Sequence, residues 1–219
     1  MDVQRQTLLR LLIDQRVLQF GEFTLKSGRL SPYFFNLGMI STGAGITTLG
    51  DAYASRIESL DLAYDTVFGP AYKGIPIAVA TSAALARRGT DTGWSFNRKE
   101  AKDHGEGGQF VGAPVTGRVL LVDDVLTAGT AVREAVQLIR AAGGTLVGVL
   151  IALDRQERVA GAQTAVSALA QELGVPVVSI LTLQDVIEYL DLNAGSDNHP
   201  ATLLAAMKAY QKAFCEAPL

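Results

Sequence analysis

Residues 119–131 read VLLVDDVLTAGTA, and no other stretch narrows the fold of this chain as much. Four consecutive apolar residues describe a strand buried on both faces, as in a parallel sheet sandwiched between helices. Two adjacent carboxylates, Asp123 and Asp124, close that strand. In open parallel sheets the carboxyl ends of the strands are where ligands bind. Thr127, Ala128, Gly129 and Thr130 then open a helix that runs to Gly143-Gly144. Small residues at a helix start leave backbone N–H groups free to cradle a phosphate, and the threonine hydroxyls add donors. Acids that suit sugar hydroxyls or hydrated Mg²⁺, set beside a phosphate cradle, ask for a ligand such as a ribose phosphate. A P-loop is excluded because G-x-x-x-x-G-K-[ST] is absent. A dinucleotide fold lacks its G-x-G-x-x-G after a strand.

The rest of the chain supports a parallel sheet. Apolar spacing predicts a helix over 3–19, strand-like material over 20–37 punctuated by Gly28 and Pro32, and a helix over 43–60. Strand and helix then alternate: strands at 65–68, 94–97, 118–122, 145–153 and 175–181, helices at 75–88, 164–173 and 182–191, and a last helix at 200–214. That alternation predicts an α/β fold with a central parallel sheet flanked by helices. Residues 98–108, RKEAKDHGEGG, have no apolar face and read as a mobile surface loop.

Composition removes whole classes. With 219 residues, 48% hydrophobic and 19% charged, the chain can bury a real core as a single domain. A net charge of −3 argues against nucleic acid as a partner. The single cysteine, Cys215, excludes an internal disulfide and a cysteine-based zinc site. No apolar run reaches membrane-helix length and the N-terminus lacks a signal-peptide pattern, so a cytoplasmic protein with no membrane partner is expected.

Three further segments carry chemistry. GPAYKGIP at 69–76 follows a short strand; Lys73 can neutralise a phosphate, while Gly69 and Gly74 allow close backbone approach. FNRKEAKDHGEGG at 96–108 gathers Arg98, Lys99, Lys102 and His104, up to four positive charges within seven residues. A basic lid of that kind could close over a strongly anionic group, and His104 could donate a proton. FTLKSGRLSPYFFN at 23–36 sets Lys26 near the aromatic pair Phe34-Phe35, which could stack on a flat base. Arg155, just beyond a strand, is a bidentate partner for a carboxylate.

Together these strings resemble the type I phosphoribosyltransferases over nearly the whole chain, and within them the orotate-using members. The resemblance implies a single domain over 1–219. Its hood would come mainly from 1–40 with C-terminal contributions, its core from about 60–190, and its mobile catalytic loop from about 98–109. It implies that Asp123 and Asp124 contact the ribose hydroxyls of phosphoribosyl pyrophosphate (PRPP), while Val125, Leu126, Thr127, Ala128, Gly129, Thr130 and Ala131 hold its 5′-phosphate. Lys26, Tyr72, Lys73, Arg98, Lys99, Lys102 and His104 would be its other contacts. The catalytic set would be Lys102, Arg98, Lys99, His104, Asp123 and Asp124. Orotate would meet Phe34, Phe35, Thr127 and Arg155. The implied reaction is orotate plus PRPP giving orotidine 5′-monophosphate and pyrophosphate. Mg²⁺ would be held mainly by PRPP and water near the two acids, with no direct protein ligand expected. A homodimer with shared active sites is implied as well. The alternatives are a relative that uses a purine or uracil, and a PRPP sensor without catalysis.

Overall fold

Helix α1 (Val3–Asp14) starts where Asp2 accepts a hydrogen bond from the Arg5 N–H at 2.8 Å. It buries Leu8, Leu9 and Leu12 at helical spacing. It stops before the expected residue 19, because Leu18 is needed opposite Phe35 in an antiparallel hairpin of β1 (Leu18–Thr24) and β2 (Leu30–Phe35). Sheet pairing overrides helical spacing there. The architecture is that of a computed structural model describing residues 2–25, 28–102, 108–126, 129–159, 163–194 and 201–215; for Ala101 and Lys102 the backbone alone is described.

Helix α2 (Gly43–Glu58), capped by the Thr42 hydroxyl, leads to the core. There follow β3 (Thr66–Phe68), α3 (Gly74–Arg87), β4 (Gly93–Lys102), β5 (Gly108–Gly112), β6 (Gly117–Val125), α4 (Thr130–Ala141), β7 (Gly144–Asp154), α5 (Ala165–Leu173), β8 (Val177–Thr182), α6 (Leu183–Leu192) and α7 (Ala201–Phe214). The large sheet has the order β5-β4-β3-β6-β7-β8. Its neighbours pair in parallel, except β5, which is an antiparallel edge strand on β4. The chain therefore has the expected α/β architecture, a mostly parallel sheet between helices.

The two faces of β6 show why its sequence is continuously apolar. Leu120 and Val122 join one buried cluster with α2 and α3, while Val119 and Leu121 join another with α4 and α5. A period of two thus feeds two cores at once. Helices α5 and α6 each begin in a reciprocal capping box, Thr164 with Ser167 and Thr182 with Asp185.

One expectation is corrected. Residues 98–102 are not loop but the continuation of β4, and Lys102 pairs with Gly108 of β5. An edge hairpin is held by backbone hydrogen bonds along one side, so it needs no apolar face. Its tip, 103–107, lies outside the described residues. No helix among the described residues is long and apolar enough to cross a membrane.

Candidate active site at the end of the parallel sheet

Register brings the charged segments together. Phe68, the last residue of β3, sits beside Ser95 of β4 on one side and Leu121 of β6 on the other. The segment after β3, the far part of β4 and the acids of β6 therefore share one end of the sheet. The Gly69 N–H donates to the Ser95 carbonyl at 2.9 Å, and the Ala71 N–H donates to Asn97 Oδ1 at 3.1 Å. These bonds pin the turn, in which the Ala71-Tyr72 peptide is cis. A Cβ on Gly69 would collide with the Gly74 carbonyl, so this turn admits only glycine at that point.

The turn delivers Lys73 to the acids: its Nζ lies 2.7 Å from Asp124 Oδ2. Exposed Tyr72 carries the Lys99 ammonium 4.7 Å above its ring. Arg98 Nη1 donates to the Gly108 carbonyl at 2.9 Å across the hairpin. Lys99 of β4 and Lys73 of the turn thus come from segments about 25 residues apart in the chain to the same end of the sheet, through Tyr72 and Asp124.

Asp123 and Asp124 are both buried. The Asp124 carboxylate meets Lys73 at the start of α3. Burial, reinforced by the neighbouring Asp124 charge, pushes the Asp123 carboxyl up to about 7; a hydrogen bond from the Asp124 N–H at 2.9 Å and the charge of Lys73 oppose the rise. Tyr53 of α2, fully buried, donates its hydroxyl to the Asp123 backbone carbonyl at 2.6 Å. Beyond β6, Leu126 is buried. Gly129 adopts a left-handed conformation (φ 73°), and α4 opens at Thr130 with no side chain capping that end. Thr130 and Ala131 stand in its first turn, where N–H groups lack helical partners and favour an anion.

The phosphoribosyl transferase domain family matches residues 41–167 of this chain. An orotate phosphoribosyltransferase of Thioalkalivibrio sulfidiphilus is 54% identical over 212 residues, 96% of this chain and 98% of the relative. One of Pseudomonas aeruginosa is 51% identical with the same coverage. The crystal structure of the Francisella tularensis orotate phosphoribosyltransferase superposes with a TM-score of 0.84 at 39% identity, covering 96% of this chain and all of that one. The chain belongs to the orotate phosphoribosyltransferase family.

The residues that the sequence suggests for the base separate in the structure. Phe34 is 38% exposed and stacks on Phe23 with ring centroids 5.5 Å apart, whereas Phe35 is 7% exposed and belongs to the core. Adjacent residues of β2 face opposite ways, so the two rings do not form one stacking platform. Arg155 lies just past β7, its guanidinium 4.4 Å above the Tyr33 ring and its Nε 2.8 Å from Glu157 Oε1. Lys26, Thr127, Ala128, His104 and the Lys102 side chain lie outside the described residues. Sequence reasoning missed Tyr53, Asn97 and Glu157. Glu157 stands two residues after Arg155 in LDRQERVAG, and the spacing of two opposite charges was the available signal. A hollow of about 760 Å³ lies between the β1–β2 hairpin and α7, lined by residues such as Phe20, Leu30, Leu203 and Phe214.

Proposed function

We infer that this chain transfers the 5-phosphoribosyl group of PRPP to orotate, releasing pyrophosphate and forming orotidine 5′-monophosphate, a step of pyrimidine (UMP) synthesis. The observation that carries this reading is the pairing of Lys73 with the buried acids at the sheet end, in a chain 54% identical to an orotate phosphoribosyltransferase.

The chemistry asks little of covalent catalysis. The bond from ribose C1 to the pyrophosphate oxygen breaks, positive charge grows on the ribose ring, and negative charge grows on the leaving group. The orotate ring nitrogen, its proton released to solvent, forms the new bond from the opposite face. Lys73, Arg98, Lys99 and Lys102 neutralise the leaving group, with Tyr72 bearing on the pyrophosphate and Lys26 on PRPP. His104 stands ready to give a proton to the departing oxygen. Asp123 and Asp124 orient the ribose hydroxyls next to the cationic ring. Val125 to Ala131 enclose the 5′-phosphate, with the first turn of α4 supplying N–H donors. Arg155 and Thr127 hold orotate, with the Phe34 ring against the base. The Phe35 ring is committed to the core and backs the strand that carries Phe34. Closure of the β4–β5 hairpin over the site excludes water that would otherwise hydrolyse PRPP.

Mg²⁺ fits this donor set as a substrate-borne ion. The carboxylates of Asp123 and Asp124 suit a hydrated hard cation, and among the described residues no group of three or more acidic, histidine or cysteine side chains forms a cage. The ion would supply charge neutralisation on the pyrophosphate. We further propose a cytoplasmic homodimer in which the hairpin tip completes the partner's site.

The test is loss of orotate absorbance in the ultraviolet with PRPP and Mg²⁺, repeated with EDTA and with a panel of other bases. Mg²⁺-dependent consumption of orotate alone is expected. PRPP binding without orotate turnover would move the function to another base or to a sensor. Full activity in a monomer at assay concentration would remove the shared-site reading.

A further inference from the structure

Arg155 does not stand free at the mouth of its strand. Its side chain is 12% exposed, packed on Tyr33, with Nε and Nη2 lying 2.8 and 2.6 Å from the same oxygen, Glu157 Oε1. Nη2 is buried and, among the described residues, has no aligned hydrogen-bond acceptor, although a buried guanidinium donor ordinarily has one. Glu157 serves more than this arginine. Its Oε1 also accepts the Tyr210 hydroxyl at 2.6 Å, and its Oε2 lies 3.2 Å from Arg29 Nη1. Arg29 in turn lies 4.6 Å over the ring of Phe214, and Tyr33 meets Tyr210 edge-on with centroids 5.9 Å apart.

We propose that Glu157 is a positioning residue of the orotate pocket: it clamps the Arg155 guanidinium on the Tyr33 ring so that the remaining donors face the substrate carboxylate. This rests on the reading of Arg155 as the orotate-carboxylate ligand. Three features support it. First, one oxygen of Glu157 sits against both Nε and Nη2 and fixes the guanidinium plane over the Tyr33 ring, so that a substrate carboxylate would be met from the Nη1 side. Second, the contact group holds two guanidiniums and one carboxylate, so it is one negative charge short. Orotate supplies that charge and uracil does not. Third, one carboxylate joins the turn after β1, the end of β7 and helix α7, so the arginine's orientation depends on three separate elements being in place. The hood hairpin and the C-terminal helix thereby become part of base recognition without touching the base.

Glu157→Gln keeps the shape and removes the charge. It is expected to raise the orotate KM about tenfold or more, with the PRPP KM within twofold and kcat within about threefold. Arg155→Ala alone should raise the orotate KM at least as much. In the Arg155→Ala background, Glu157→Gln should then have no further effect on orotate, since it acts through that arginine. A Glu157→Gln enzyme with lowered Tm but an orotate KM within twofold of wild type would make the residue structural and overturn the proposal. An unchanged orotate KM in Arg155→Ala would instead overturn the carboxylate-ligand reading beneath it. Should Glu157→Gln fail to fold, Tyr210→Phe removes one bond to the carboxylate. A rise of two- to threefold in orotate KM with PRPP KM unmoved supports the clamp, and equal values for both substrates overturn it.

Discussion

The acid pair at the end of β6 and the arginine beyond β7 are both buried charge, and they are compensated in opposite ways. Asp123 and Asp124 are like charges on neighbouring residues, met by backbone N–H groups and one lysine, and burial together with the Asp124 charge still pushes Asp123 up to about 7. Arg155 is met by a carboxylate and an aromatic face from other parts of the chain. The first arrangement is short of positive charge and the second short of negative charge. Each deficit matches one half of the proposed reaction: a ribose that turns cationic with Mg²⁺ nearby, and a base that carries a carboxylate. On the proposed reading, sheet register and backbone build the phosphoribosyl side, while long-range side-chain contacts build the base side. Changes on the first side should therefore fall on turnover and PRPP, and changes on the second on orotate.

The largest effect tests the first side. Lys102→Ala should lower kcat about a hundredfold or more while PRPP binds within a few-fold of normal, because the lysine is assigned to charge that develops as pyrophosphate leaves. Near-normal turnover in single-turnover kinetics would end that role. Next in size is a contrast on the second side. Phe35→Ala should cost roughly 3–5 kcal/mol of stability as a core truncation, whereas exposed Phe34→Ala should cost under about 1 kcal/mol. Urea midpoints separate the two. Phe34→Ala alone should raise the orotate KM in an enzyme of near-normal stability, and equal urea losses would show that both rings are core.

Legibility in the sequence follows the same division. Residues 119–131 and 69–76 hold strand, turn and charge in one contiguous string, so the sheet end and its acids can be read directly. The Arg29–Glu157 and Glu157–Tyr210 contacts span 128 and 53 residues, and nothing local announces them. Phe34-Phe35 suggested a pair because the residues are adjacent, yet adjacency in a strand separates side chains across its two faces. The extension of β4 through Lys102 was hidden for another reason. Its pairing with Gly108 is made by backbone, and RKEAK carries no alternation that periodicity could detect.

Asp123 offers a pH test of the negative side. Its carboxyl titrates near 3.8 when unfolded and about 7 when folded, so the folded chain retains a proton that the unfolded chain has lost between those values. Stability from this group is present below pH 4 and falls as pH rises through 7. Asp123→Asn, which keeps an acceptor for the Asp124 N–H, should gain on the order of 2–4 kcal/mol over wild type at pH 8 and almost nothing at pH 4. Chemical denaturation of the ligand-free protein at both values measures the difference. A gain independent of pH would mean that packing, not charge, separates the two proteins.

The smallest effect asks whether backbone alone holds the acids in place. Tyr53→Phe removes a hydroxyl 2.6 Å from the Asp123 carbonyl and changes nothing else in a fully buried ring. Losing one partner of a buried bond should cost about 1–2 kcal/mol of stability. If β6 and its pairing with β7 suffice to hold Asp123, kcat and the PRPP KM stay within twofold despite that loss. If PRPP affinity falls severalfold with orotate KM unchanged, α2 also positions the acids. The phosphoribosyl side would then depend on a distant side chain as the base side does, and the division between the two would narrow to one of degree.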